Sequence, residues 1–193
     1  MTPPRFAAAI ILVLIAVLLF ASPASAQGFG IKGGPMFTDF SSDALDFSNK
    51  TGTELGIFYG LSRSGLLGFQ GEANWLRKKT EGPTGDIRID YVQLSTLLRL
   101  NAGSRKASGF ALYGLIGPGW NIKVGDSTEG IDVSGLWKGW DIGLIYGGGV
   151  EYKRVIVEGR YEQGLKQINN NIFGGTADVK SHSFSILFGF RVR

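Results

Sequence analysis

Glu158, Arg160 and Glu162 stand two residues apart in Val157-Glu158-Gly159-Arg160-Tyr161-Glu162. In an extended chain that spacing puts acid, base and acid on one face. Other ionisable residues fall on the same side of an apolar/polar alternation: Lys32, Glu54, Glu72, Arg99, Glu151, Lys166 and Arg191. Such a set admits two kinds of chemistry. As pairs, guanidinium and carboxylate groups satisfy one another through bidentate hydrogen bonds and hold strands in register. As a carboxylate pair or a chain, they perform acid–base work or pass protons. Buried charges need partners in either case. The simpler reading is therefore a structural polar network of Glu72, Arg99, Glu151, Glu158, Arg160, Glu162 and Arg191.

His182 is the only histidine, and His182-Ser183-Phe184-Ser185 invites a comparison with histidine–serine hydrolases. A general base must lie within hydrogen-bond reach of its nucleophile and be oriented by a third group. Alternation sends His182 to one face and Ser183 and Ser185 to the other, so no catalytic residue is assigned. One histidine and no cysteine leave no ligand set for a metal, and neither metal nor cofactor is expected. Gly114-x-x-Gly117-x-Gly119 and Gly147-Gly148-Gly149 look like phosphate loops, but such loops join a strand to a helix. Here both runs lie inside alternating segments, where glycine lets a strand bend or a neighbour pack closely. Pro118 predicts a bulge or kink in its strand. Asp39, Asp43 and Asp46, then Asp126, Glu129 and Asp132, do not follow the twelve-residue calcium loop and read as solvated acids.

Alternation of this kind recurs in eight segments. They are Gly28–Phe37, Thr53–Ser62, Leu67–Arg77, Asp90–Asn101, Phe110–Val124, Trp140–Tyr152, Val155–Gln167 and Ser183–Arg193. In the last, Phe184, Ile186, Phe188, Phe190 and Val192 oppose Ser183, Ser185, Leu187, Gly189, Arg191 and Arg193. Connection lengths alternate as well. The links Thr38–Gly52, Lys78–Ile89, Gly125–Gly139 and Ile168–His182 are long and polar. Those at Arg63-Ser64-Gly65 and Lys153-Arg154 are tight, and Ala102–Gly109 is intermediate. An even number of strands with alternating long and short links is the pattern of bacterial transmembrane barrels.

The N-terminus supplies the matching address. Arg5, the apolar stretch Phe6–Phe20 and Ala24-Ser25-Ala26 form an export signal ending before Gln27. The apolar stretch falls short of the roughly twenty residues that span a bilayer as a helix. The domain reading is thus a signal peptide over residues 1–26 and one barrel domain over 27–193. Loss of Arg5, the only charge in the leader, changes the net charge from +4 to +3, too little and too dispersed for nucleic acid. With no cysteine, disulfides and lipoprotein anchoring are excluded.

An apolar face can meet lipid or, as in a lipocalin, line a pocket. Phe29, Phe37, Trp75, Phe110, Trp140, Tyr152 and Phe190 sit toward segment ends, as membrane girdles do. The opposite face mixes charges of both signs with glycine, which suits a narrow interior. Gly135-Leu136-Trp137 lies in a link rather than on a first strand, where a lipocalin would carry Gly-x-Trp. The reading is an all-β, eight-stranded antiparallel up-and-down transmembrane β-barrel whose apolar face meets outer-membrane lipid.

Several stretches carry a resemblance. Gly28-Phe29-Gly30-Ile31-Lys32-Gly33-Gly34, Tyr91-Val92-Gln93-Leu94-Ser95, Tyr146-Gly147-Gly148-Gly149-Val150-Glu151 and Val157-Glu158-Gly159-Arg160-Tyr161-Glu162-Gln163-Gly164-Leu165 resemble the PorT-like outer-membrane β-barrel domain family. Ser95 stands where that family usually has proline. The resemblance covers Gln27–Arg193 and implies a barrel similar to OmpX and the membrane domain of OmpA. It implies no single activity. The expectation is a non-enzymatic, monomeric outer-membrane barrel with a filled polar lumen. Its termini are periplasmic, barrel-insertion machinery is its partner during biogenesis, and its external loops mediate surface interaction or envelope integrity. An outer-leaflet lipid-modifying enzyme and a small-solute porin are the alternatives.

Overall fold

The computed structural model describes residues 27–41, 48–61, 66–82, 85–103, 109–128, 139–165 and 180–192. The leader, Lys166, Asp43, Asp46, Glu129, Asp132 and the Gly135-Leu136-Trp137 stretch lie outside them. The strands are β1 (Gln27–Ser41), β2 (Ser48–Leu61), β3 (Leu67–Gly82), β4 (Gly85–Gly103), β5 (Phe110–Thr128), β6 (Trp140–Tyr152), β7 (Val155–Gly164) and β8 (Lys180–Arg191). Each pairs antiparallel with the next, and β8 returns to β1, so the sheet closes with no free edge. Closure is what hydrocarbon demands, since an unpaired backbone amide there costs several kcal/mol.

The register sets the dimensions. The ladder path from Gln27 through Leu61, Phe69, Leu98, Ile116, Tyr146, Tyr161 and Phe184 returns to β1 at Phe37, ten residues on. A stagger of that size on eight strands tilts them by about 40°, and the lumen is just wide enough for side chains to fill.

The two faces differ sharply. Ile57, Phe69 and Phe188 are 61%, 58% and 59% exposed on the outer surface, while Arg99, Glu151 and Glu158 are buried inside. This arrangement is the reverse of a lipocalin. At the short-turn end, strand limits follow the alternation closely, and β6 spans the segment expected. At the other end β1 to β5 run farther. The third link, expected as a loop over Lys78–Ile89, is largely a ribbon in which β3 and β4 stay paired as far as Gly82 and Gly85. On β3 that ribbon is polar on both faces in sequence. On β4 the alternation Asp86-Ile87-Arg88-Ile89-Asp90 is inverted, with Ile89 buried and Arg88 exposed, so it does not read as a continuation of a lipid-facing strand although the backbone ladder continues. β7 stops at Gly164 rather than Gln167.

Two Gly-Pro steps sit on opposite walls. Gly34-Pro35 of β1 lacks paired partners on β8, although Gly33↔Phe188 and Met36↔Ser185 keep one register on either side. Gly117-Pro118 of β5 does the same against β4, between Leu98↔Ile116 and Ser95↔Gly119. Pro118 therefore makes no bulge; the register shift in that pair lies at Asp90/Tyr91 instead. Proline cannot donate to the ladder, and the glycine before it lets the strands close over the missing bond. A Cβ at Gly34 would lie 1.9 Å from the Ile186 carbonyl oxygen, and one at Gly117 2.1 Å from that of Thr96.

Phe188→Arg puts a charge on the lipid face and should lower barrel stability by about 2–4 kcal/mol if the residue sits near the bilayer midplane. Phe188→Leu should leave it nearly unchanged. Urea unfolding in phospholipid vesicles, followed by tryptophan fluorescence, measures both.

Candidate functional site: the charged lumen

Polar side chains run along the lumen in three linked groups. The central group is built on β1, β2, β3 and β7. Lys32 Nζ donates to Glu72 Oε1 at 2.5 Å and to Glu158 Oε1 at 3.1 Å. Arg160 spans three carboxylates. It reaches Glu72 at 2.8 and 3.2 Å and Glu54 at 3.2 Å, and engages Glu158 through both Nε and Nη2. The Tyr113 hydroxyl of β5 donates to Glu158 Oε2 at 2.6 Å. Gln70 and Asn74, two residues either side of Glu72, donate to its two oxygens. Strand alternation makes this possible by stacking Gln70, Glu72 and Asn74 on one inward row.

Toward the short turns, Arg99 Nη2 and Arg191 Nε grip Glu151 at 2.8 and 2.7 Å. Arg99 also donates to Asn101 and to Gln70, which joins this group to the centre. Its guanidinium lies 3.6 Å from the centroid of the Tyr113 ring. Toward the long links, Glu162 accepts from Asn121 Nδ2 at 2.5 Å and Gln93 Nε2 at 3.1 Å, with Lys78 Nζ 3.7 Å away. Asn74 donates to Gln93 at 3.2 Å and ties this end to the centre too. Every strand contributes, Ser181 of β8 by accepting from Lys78. A chain of contacts thus runs from Arg191 to Lys78.

Charge is offset between two of the groups, while in the third the buried acids Glu162 and Asp141 outnumber Lys78. Glu54, Glu72 and Glu158 outnumber Lys32 and Arg160 at the centre, while Arg99 and Arg191 outnumber Glu151 near the short turns. These groups are dry: Glu72 and Glu151 side chains are 0% exposed. Each desolvated ion costs several kcal/mol unless its partners hold it in good geometry, and a satisfied network stiffens the whole.

Glu72, Arg99, Glu151, Glu158, Arg160, Glu162 and Arg191 all face the lumen and touch one another directly or through amides. Sequence reasoning missed Lys78, which it placed in a link although inward spacing continues through Leu76 and Lys78. It also overlooked an apolar part of the lumen: Phe58, Leu97, Tyr113, Leu115, Ile145 and Ile156 pack together. Their signal is consecutive apolar residues, as in Ile57-Phe58-Tyr59, Leu97-Leu98 and Val155-Ile156-Val157, which fill both faces of a strand. Phe58 lies beneath Lys32 and Arg191, 5.8 and 5.2 Å from its ring centroid.

His182 faces outward, its ring 6.1 Å from that of Tyr161, which in turn neighbours Tyr146. Its Nδ1 is buried and meets no hydrogen-bond partner among the described residues. Ser183 and Ser185 are buried on the other face. Base and hydroxyls are separated by the wall itself.

A closed eight-stranded wall, apolar outside and ionic inside, agrees with the comparisons. The family profile described as outer membrane protein beta-barrel domain matches residues 11–191. The chain belongs to that family. It is therefore a barrel of the bacterial outer membrane. No curated protein matches it. Among solved structures it is similar to the outer membrane protein OprG from Pseudomonas aeruginosa, at TM-score 0.55 and 16% identity over 87% of this chain and 97% of that one. It is also similar to the outer membrane enzyme PagL, at 0.51 and 15% over 86% and 99%. Neisserial surface protein A follows at 0.50 and 16% over 88% and 99%. At such identities the likeness is one of fold, shared here by an enzyme as well as others.

Arg160→Ala strands Glu54, Glu72 and Glu158 with Lys32 as their one remaining cation in the central group. Removing a partner from a buried ion pair costs about 3–5 kcal/mol. The variant should unfold at correspondingly lower urea in vesicles, and adding Glu54→Gln should restore part of the loss.

Proposed function

We propose that this chain, a member of the PorT-like branch of its family, is a non-enzymatic outer-membrane barrel with a plugged lumen. Its long links act outside the cell in surface interaction or envelope integrity. The observation that carries this reading is the unbroken chain of ionic and amide contacts from Arg191 to Lys78. It occupies the space that a pore would need. The opposed faces of His182 and its neighbouring serines weigh against a lipid-modifying enzyme. The start of β1, the end of β8 and the two-residue turn Lys153-Arg154 share one end of the barrel. Short turns are periplasmic in such barrels, so this end and both termini are assigned to the periplasm. The protein acts as a monomer, with outer-membrane lipid around its wall and the insertion machinery as its transient partner.

Deletion of the gene tests the role. The reading expects altered sensitivity to detergents or altered surface adhesion, with an unchanged mass spectrum of lipid A. A change in the acylation of lipid A that the wild-type copy restores would overturn it in favour of the enzyme. Topology has its own check: protease added to intact cells should cut within Gly125–Gly139 and spare Lys153-Arg154. Equal cutting at both would contradict the orientation.

A further inference from the structure

The outer surface of β3 and β4 carries a second, separate group of charges. Arg77 of β3 donates to Asp90 of β4 through Nε at 2.8 Å and Nη2 at 3.3 Å. Arg88, also on β4, binds the same carboxylate through Nε at 3.2 Å and Nη2 at 2.9 Å. One acid thus braces two guanidiniums, each by the same edge, so that the Nη1 edges point away from it. Lys79 lies directly across the ladder from Arg88 and is exposed. Like charges at directly opposed positions repel. Within the patch of Arg77, Lys79, Arg88 and Asp90 the cations outnumber the carboxylate three to one, and two residues farther toward the long link the ladder pairs the acidic Glu81 with Asp86.

Its position identifies what an excess of that sign can meet. The Arg77 guanidinium lies 4.4 Å from the Trp75 ring centroid, held over an aromatic face. Trp75 belongs to a ladder row with Val92, Ile122 and Trp140, where Ile122 and Trp140 are exposed on the lipid-facing wall. The cations begin two residues beyond that row, toward the long links. A molecule bridging the two zones has acyl chains beside Trp75 and Ile122 and an anionic group beside Arg77, Lys79 and Arg88. Arginine's fork matches the oxygens of a phosphate.

We propose that Arg77, Lys79 and Arg88, braced by Asp90, form a binding site for the phosphate of a lipid headgroup in the leaflet at the long-link end. With the orientation proposed above, that is the outer leaflet, and the ligand class is a phosphorylated glycolipid. The binding can be tested apart from the orientation. Purified protein in dodecyl maltoside micelles is mixed with bis-phosphorylated lipid A, or with the same lipid after dephosphorylation, and adducts are counted by native mass spectrometry. Wild-type protein should retain phosphorylated lipid A in clear preference. Arg88→Gln, which keeps the Arg77–Asp90 pair, should weaken retention about fivefold, the effect of one surface cation on an anionic lipid. R77Q/K79Q/R88Q should abolish the preference while keeping the gel migration of the folded, unheated barrel; Lys153→Gln, at the opposite end, should bind as wild type. Inorganic phosphate at millimolar concentration should not displace the lipid. Equal retention of both lipids by the wild type, unchanged retention in Arg88→Gln, or displacement by inorganic phosphate would overturn the site. None of these outcomes depends on which side of the membrane the long links face, so failure here leaves the protease test of orientation intact.

Discussion

An eight-stranded wall encloses so little space that every inward side chain must be matched by another. Arg160 illustrates the constraint. Its guanidinium reaches β2 at Glu54 and β3 at Glu72 as well as its own strand at Glu158. In a wider barrel the same groups would be hydrated individually. Here the desolvation of each ion is offset only by the others, so side chains far apart in sequence become one unit. Lys32 and Glu158, for instance, meet at 3.1 Å. The aromatic residues inside serve the same end, because the guanidiniums of Arg99 and Arg191 lie against the rings of Tyr113 and Phe58.

The wall answers to a different solvent. Its backbone is satisfied by closure and its outer side chains by lipid. Where the ladder is interrupted, at Gly34-Pro35 and Gly117-Pro118, small size allows the strands to approach until Cα–H groups face the carbonyls that proline leaves unpaired. Beyond the tryptophan row the same strands emerge as polar ribbon, and charge reappears on their outer face. The ionic network of the lumen and the Arg77–Asp90–Arg88 group thus lie on opposite sides of the wall. One is sealed inside and holds the barrel together; the other lies at the boundary of lipid and water.

Much of this was legible in the chain because a lipid-exposed strand imposes a period of two. Phe184, Phe188 and Phe190 alternate with Ser183, Ser185 and Arg191, which is enough to divide β8 into faces. Legibility failed where that contrast disappears or inverts. Phe58 and Leu97 are inward yet apolar, so they look like their outward neighbours. In the ribbon around Lys79 and Arg88 the outer face is charged and the apolar Ile89 is buried, the reverse of the pattern below it, so paired strands look like a loop, and Lys78 was lost with them. Pairing inside the lumen was not legible at all. Alternation puts Glu72 and Arg160 on the inner side, but only the ten-residue stagger of the closed sheet decides that they meet. The bulge expected at Pro118 is absent because the glycine before it accommodates the missing donor.

The central claim is that the ionic network closes the lumen. Single-molecule recording of the purified barrel in a planar bilayer tests it most directly. A closed lumen predicts insertion, verified by protease protection of the reconstituted strands, with no steady current across a range of salt concentrations. Stable unitary currents that rise in proportion to salt would mean that water and ions pass Arg160 and its partners, and the network could not then be a plug.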